Sequence, residues 1–288
     1  MLKGSASGDW WSLGTYAQVA GMKEDTFTPV SYDVHGGSTG GLGLQKYDFG
    51  QFYASKTFHD PAKKRQILWG WVAEEGGAPH KGEAWSSIQI LPRSVELDPT
   101  NTTRLVFPPI PELEALRGEP ISIALTAVAA NAPQAALSAI GATIADHFEI
   151  ELNVTADFTK PGVSAGVCVL GGAKCAGGQI VTIGSLPAAA NPEGIILLTL
   201  NLAGKKGQSV IGPVSSTVSL RVFVDKSSIE AYAAGGRAVA SHRVYPTAAR
   251  RTVSFVNNGK VNVTIAATAW PMAVATRPSA EELLEGLD

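Results

Sequence analysis

Residues 47–71 read YDFGQFYASKTFHDPAKKRQILWGW, and residues 83–93 continue as EAWSSIQILPR. Two aromatic and β-branched runs, 51–58 and 66–72, flank the polar, proline-containing segment HDPAKKR at 59–65. The pair predicts two antiparallel strands joined by a turn. Side chains of a strand alternate between its faces, which puts Phe52, Ala54 and Lys56 on one side and Tyr53, Ser55 and Thr57 on the other. Trp69 and Trp71 share a face across Gly70. On periodicity alone this is a core strand pair of an all-β protein, and a hairpin so rich in rings must pack against another layer.

The rest of the chain bounds what that layer can serve. With 288 residues, 45% hydrophobic and 17% charged, it can bury the cores of two ordinary domains. A net charge of −2 supplies no basic field for nucleic acid, and no run of about 18 apolar residues marks a membrane span. The first residues, MLKGSASGDWWSLGTY, lack the apolar stretch of a secretory signal, so the chain is expected to be cytosolic or to start inside a longer gene. The five histidines are scattered, and neither a Ser/His/Asp arrangement nor metal-ligand spacing stands out, so no cofactor or metal is expected. Cys168 and Cys175 lie in GVCVLGGAKCAGG, where a hairpin could join them in a disulfide or leave two thiols. Asn101, Asn153 and Asn262 each begin an Asn-x-Thr sequon, which hints at a secretory ancestor.

In chain order, residues 10–16 (WWSLGTY) predict a strand and residues 17–30 a turn leading to a second one. Residues 32–44, YDVHGGSTGGLGL, hold five glycines in thirteen positions and predict a loop. Residues 96–103 are turn-rich and predict a connector, and the prolines at 108, 109 and 111 precede ELEALR, one or two helical turns. From about 121 to 273 at least seven short alternating runs follow, with Gly, Asn, Pro and Ser between them and no long helix. That pattern predicts two packed antiparallel sheets, a β-sandwich. Asn258-Gly259 is its strongest hairpin signal, and the acidic tail 278–288 has a helical look.

The order of these motifs is informative. YDFGQFYASKTF, then WGW, then WSSIQILPR resemble the late part of the catalytic β-propeller of glycoside hydrolase family 32, the invertases, fructan hydrolases and plant-type fructosyltransferases. The strand ending Gly14-Thr15-Tyr16, the segment PELEALR, and LRVFVDKSSIEAYAAGGRAVASHRVYP at 220–246 resemble further segments of that family. The resemblance implies an all-β chain: a partial five-bladed β-propeller over 1–107 (the last one to two blades), a linker at 108–120, a C-terminal β-sandwich over 121–275 and a tail at 276–288.

It also implies cleavage at the anomeric carbon of a fructofuranosyl unit with retention, on sucrose or a fructan. That chemistry needs a carboxylate nucleophile and a carboxylic acid about 5 Å apart. The family draws its nucleophile, stabilising aspartate and acid from Asn-Asp-Pro-Asn-Gly, Arg-Asp-Pro and Glu-Cys, and none of the three occurs in these residues. His59-Asp60-Pro61 is a turn, and Glu74, Glu75 and Glu230 are expected as rim charges or satisfied strand residues. No catalytic residue is therefore expected. A five-bladed propeller takes roughly 300 residues, so the chain is expected to begin after the acid, within a secreted or vacuolar parent. The candidate substrate-binding residues are Tyr53 and Trp69, with Tyr53 equally suited to packing between blades. Asp9 matches a family aspartate near the acid catalyst only across a shortened loop, and Lys81-Gly82 resembles the family's Lys-Gly before Trp85 with Glu83-Ala84 intervening. A reading from another class is a non-catalytic β-sandwich module for carbohydrate binding or interaction.

Overall fold

The computed structural model describes residues 2–5, 8–18, 21, 25–29, 45–74, 79–80, 83–131, 146–185, 196–202, 205–211, 216–246 and 252–274, and the chain is all-β. The glycine-rich segment 32–44, the tail 276–288 and the residues Glu75, Lys81 and Gly82 lie outside them.

Strands β1 (Leu2–Ser5), β2 (Asp9–Ser12), β3 (Gly14–Ala17), β4 (Thr26–Pro29) and β5 (Gln45–Lys46) make two small sheets, β1-β2-β5 and β3-β4. Residues 10–16 are thus two strands in different sheets, broken at Leu13, and not the single strand their pattern predicts. The break is set at Gly14, where a Cβ would lie 2.4 Å from the Thr28 carbonyl oxygen and 2.5 Å from the Phe27 ring. The predicted hairpin is β6 (Phe52–Asp60) and β7 (Arg65–Val72), followed by β8 (Ile88–Gln89), β9 (Arg93–Asp98) and β10 (Asn101–Val106) in one sheet, ordered β10-β9-β7-β6 with β8 beside β7.

Residues 96–103, expected as a connector, form the β9–β10 hairpin. Its turn is closed by the Asp98 carboxylate, which accepts from the Thr100 N–H and hydroxyl, each at 2.8 Å, and which Arg237 also holds. Polar residues on the outward face made this pair look like loop. Next comes the short helix predicted near 112, a 3-10 turn at Pro111–Leu116, pinned to the β6–β7 turn by Lys63 and Arg65 on Glu112.

The hydrogen bonds from Arg65 and Lys63 hold the Glu112 carboxyl at about 2, against the ordinary 4.5. A lowered folded-state value means the contact stabilises fully above about pH 4.5 and is lost as pH falls through about 2. We expect Glu112→Gln to flatten the pH dependence of the unfolding midpoint within that window and nowhere else, as read by urea unfolding at several pH values.

The remaining strands are β11 (Ile121–Val128), β12 (His147–Thr155), β13 (Ser164–Gly171), β14 (Gln179–Ser185), β15 (Ile196–Leu202), β16 (Lys205–Ile211), β17 (Thr217–Asp225), β18 (Ser228–Ala233), β19 (Ala238–Arg243), β20 (Thr252–Asn257) and β21 (Val263–Pro271). They form two antiparallel sheets, β11-β21-β12-β17-β18-β19 and β16-β15-β14-β13-β20. Inward residues of both, among them Ile150, Leu152, Val167, Ile183, Leu220, Val222, Ile229 and Phe255, share one apolar core. A disulfide joins Cys168 and Cys175 across the β13–β14 connection, which decides between the two alternatives for this pair.

Asn258-Gly259 does not close a hairpin. β20 pairs with β13, β21 pairs with β11 and β12, and the Asn-Gly segment carries the chain from one sheet to the other. The Asn257 side chain holds this crossing by donating to the Val128 and Val261 carbonyls at 2.9 Å, while Gly259 packs so tightly that a Cβ would meet the Gly162 carbonyl oxygen at 2.4 Å.

The opposite face of the six-stranded sheet is not bare. Phe223, Tyr232 and Val239 point away from the first core and join Trp11, Tyr47, Phe52, Leu68, Val72, Ile90 and Phe107 in a second. β18 and β19 are buried along their whole length, because each has an apolar layer on both sides. A strand covered on two faces can keep polar residues only where they find partners.

Candidate functional site

Those partners converge on Arg93. Its side chain is fully buried, with Nη1 2.9 Å from Asp48 Oδ2, Nη2 2.9 Å from Glu230 Oε2 and 2.6 Å from Ser241 Oγ, and Nε donating to the Tyr232 hydroxyl at 3.1 Å. Burial opposes the guanidinium charge, yet Asp48 and Glu230 outweigh it and raise the pKa above the ordinary value. Burial likewise lifts the Tyr232 phenol well above its ordinary range, so the hydroxyl stays protonated and donates to Glu230 at 2.7 Å. Asp48 and Glu230 both reach Ser241 Oγ, at 2.8 and 3.4 Å. Two carboxylates this close invite comparison with a glycosidase pair, but both are sealed from solvent and share one arginine. They are a junction between the β9 sheet and the six-stranded sheet.

A second junction uses Arg243, which donates to Glu74 at 2.9 Å and Glu83 at 2.8 Å and lies under the Trp85 ring at 4.6 Å. Glu74 also accepts from the Ser87 N–H and the Tyr245 hydroxyl. Glu74 and Glu230 are thus satisfied residues, Glu74 buried where a rim charge was one expectation. Asp60 closes the β6–β7 turn on Arg65 at 3.0 Å, as its position in a turn predicts. Asp9 is buried, accepting from the Ser55 N–H at 2.5 Å and pairing with Lys3 at 3.3 Å. Among the described residues no cluster of three or more His, Cys, Asp or Glu could hold a metal.

The open feature is on the hairpin. Its pairing runs Tyr53 to Trp71 and then Lys56 to Trp69, so β6 carries a bulge at Ala54-Ser55, with Ala54 at a φ of 50°. The extra residue breaks the predicted alternation: Ser55 turns inward with Phe52, while Ala54 and Lys56 face out. Gly70 is required here, since a Cβ would strike the Phe52 ring at 2.3 Å. With Phe52 beneath Gly70, Trp69 and Trp71 stand on the outer side and line a cavity of about 370 Å³ with Lys56, Ser86, Ser87 and Gln89. Trp69 lies in its wall. Tyr53 does not, but its ring stacks on Trp71 with centroids 6.3 Å apart and planes 27° from parallel.

Lys56, Trp71, Ser86, Ser87 and Gln89 escaped the sequence reading. Trp71 could have been found, because it shares the face of Trp69; Lys56 could not, because only the bulge brings it opposite Trp69. Chemically the cavity offers flat apolar rings, an ammonium, an amide and hydroxyls, a set suited to a polyhydroxylated ligand with apolar C–H faces. Among the described residues no carboxylate lines it.

Residues 10–109 match the model of the glycosyl hydrolases family 32 N-terminal domain and residues 188–271 that of the family 32 C terminal. The chain is 29% identical over 307 residues to "Beta-fructofuranosidase, insoluble isoenzyme 2" of Oryza sativa subsp. indica, covering 92% of this chain and 50% of that protein. It is 32% identical over 272 residues to "Beta-fructofuranosidase 1" of Zea mays, covering 84% and 39%. The crystal structure of fructan 1-exohydrolase IIa from Cichorium intybus superposes with a TM-score of 0.77 at 23% identity, over 95% of this chain and 56% of that one. A further structure of that protein, TM-score 0.73, is a complex with 1-kestose. The chain spans about half the length of the curated relatives it matches. Two models of one family, matched in order over 10–109 and 188–271, and a relative 32% identical over 84% of the chain establish that the chain belongs to glycoside hydrolase family 32.

Proposed function

We propose that these residues are the scaffold and part of the sugar pocket of a β-fructofuranosidase-type hydrolase acting on sucrose or a fructan, and that its catalytic carboxylates are not among them. In this reading 1–107 are the end of blade four and blade five of a catalytic propeller, 108–120 the linker and 121–275 the β-sandwich. The observation that carries it is the Trp69 and Trp71 cavity, which has ring faces and hydrogen-bonding groups for a furanosyl unit and, among the described residues, no acid to cleave it. Retaining hydrolysis needs two carboxylates about 5 Å apart and open to substrate. The one close pair described above, Asp48 and Glu230, is buried and bound to Arg93. Tyr53 would act by bracing Trp71, and Trp69 by contact with the sugar.

Two measurements test this. The purified chain should release no fructose from sucrose or inulin, and turnover abolished by changing one carboxylate of this chain would overturn the assignment. Titration with 1-kestose should perturb the tryptophan fluorescence in a manner lost in Trp69→Ala and weakened in Tyr53→Ala. Binding indifferent to both substitutions would place the sugar elsewhere.

A further inference from the structure

A second concavity lies on the six-stranded sheet, on the side away from the shared core and beyond the strands that the N-terminal sheets cover. It is a groove of about 540 Å³ across β11, β12 and β21, within the range of about 300–1,000 Å³ in which proteins seat small ligands. Asn153 stands in it. On β12, Leu152 and Val154 face the core, so Asn153 between them faces out and is exposed. Its cross-strand neighbours are Ala266 on β21 and Ser219 on β17, two small residues that leave its amide unobstructed.

The sequence around it is Asn153-Val154-Thr155, one of the three sequons. The other two asparagines are engaged: the Asn101 side-chain oxygen accepts from the Thr103 N–H at 3.0 Å, and that of Asn262 from the Ala130 N–H at 2.9 Å. Four residues along β21 from Ala266, on the same face and about 13 Å away, Trp270 forms the end of the groove. The Arg117 guanidinium sits 4.0 Å from its ring centroid and fixes it in place. Between the two lie Glu151 and its cross-strand partner Thr268, polar groups able to meet a sugar's hydroxyls and amide. An independent observation points to the right compartment. The Cys168–Cys175 disulfide belongs to an oxidising environment, and the secretory route where such bonds form is where asparagines of sequons are modified.

We propose that Asn153 carries an N-linked glycan whose first sugars lie in this groove, ending against Trp270. In the transfer the Asn153 amide nitrogen forms a bond to the anomeric carbon of an N-acetylhexosamine donated from a lipid-diphosphate oligosaccharide. The bond from that carbon to the diphosphate oxygen breaks, the lipid diphosphate leaves with the electron pair, and the amide gives up one proton to base. The groove shields the stem, and the glycan covers Ala266 and Ala124, apolar residues that line it.

The test is expression of the full chain behind a secretion leader in eukaryotic cells, followed by amidase release in heavy-oxygen water and peptide mass spectrometry. The peptide containing Asn153 is expected to be occupied, and Asn153→Gln to lose one glycan by gel shift. A secreted, folded chain whose Asn153 is unmodified overturns the proposal. Seating in the groove is read from the amidase rate: contact with one aromatic ring predicts release up to about tenfold slower from the native than from the denatured protein. Trp270→Phe should keep most of that protection and Trp270→Ala should lose it. Equal native and denatured rates, or protection unmoved by Trp270→Ala, overturn the seating.

Discussion

Arg93→Met is expected to lower the free energy of unfolding by about 3–5 kcal/mol, the cost of leaving buried charge uncompensated. The reason is the pairing around it: one guanidinium is shared by Asp48 and Glu230, each buried, and no second cation reaches either carboxylate among the described contacts. Methionine fills much of the volume, so the loss would report charge and hydrogen bonding more than a cavity. This can be separated from a simple folding failure. Adding Asp48→Asn and Glu230→Gln to Arg93→Met removes the stranded charges and should recover part of the loss. Urea unfolding with unchanged slope gives the numbers. A single variant within about 1 kcal/mol of the parent would show that water or the backbone compensates the carboxylates, and the junction would then be a bystander.

That junction also marks how far the sequence could be read. The β6–β7 hairpin and the two-sheet body were legible because alternation and ring content are local signals. What brings Arg93 to Asp48, Glu230, Tyr232 and Ser241 is not local: its partners lie 45 positions before it and up to 148 after it. Nothing in LPRSVELD singles that arginine out. The bulge in β6 is silent for a related reason. It sits at an alanine with φ of 50°, where the usual marker would be glycine or asparagine, so the alternation through Tyr53, Ala54 and Ser55 read as unbroken. The Asn258-Gly259 dipeptide misled in the opposite direction. It has the composition of a hairpin turn, but the strands either side of it bury their faces against each other, and the close approach to Gly162 explains the glycine without a two-residue turn. Of the residues lining the candidate pocket, Trp69 and Trp71 share a strand face that alternation shows, whereas Lys56 and Gln89 enter through register alone.

The second large effect is expected in the shared core. Leu220 lies on β17 between Leu152 of β12 and Ala233 of β18, fully buried, with Val218, Val222 and Val224 on the same face. Ladder hydrogen bonds on both sides keep β17 from closing the space a smaller residue would leave. Leu220→Ala should therefore cost about 2–5 kcal/mol, toward the upper end because the site cannot collapse. Leu125→Ala on the outer strand β11, where the side chain is 67% exposed, should stay within about 0.5 kcal/mol and controls for the chemistry of the change. Comparing Leu220→Ala with Arg93→Met then asks how the molecule unfolds. β17, β18 and β19 present one face to each of the two cores, so disordering either core exposes the other side of the same strands. A single transition, displaced by each variant and by roughly the sum in the double variant, is the expected result. Two transitions, one moved by Arg93→Met and the other by Leu220→Ala, would mean that the N-terminal sheets can leave while the two-sheet body stands, and that the Arg93 junction is docking and not part of one cooperative core.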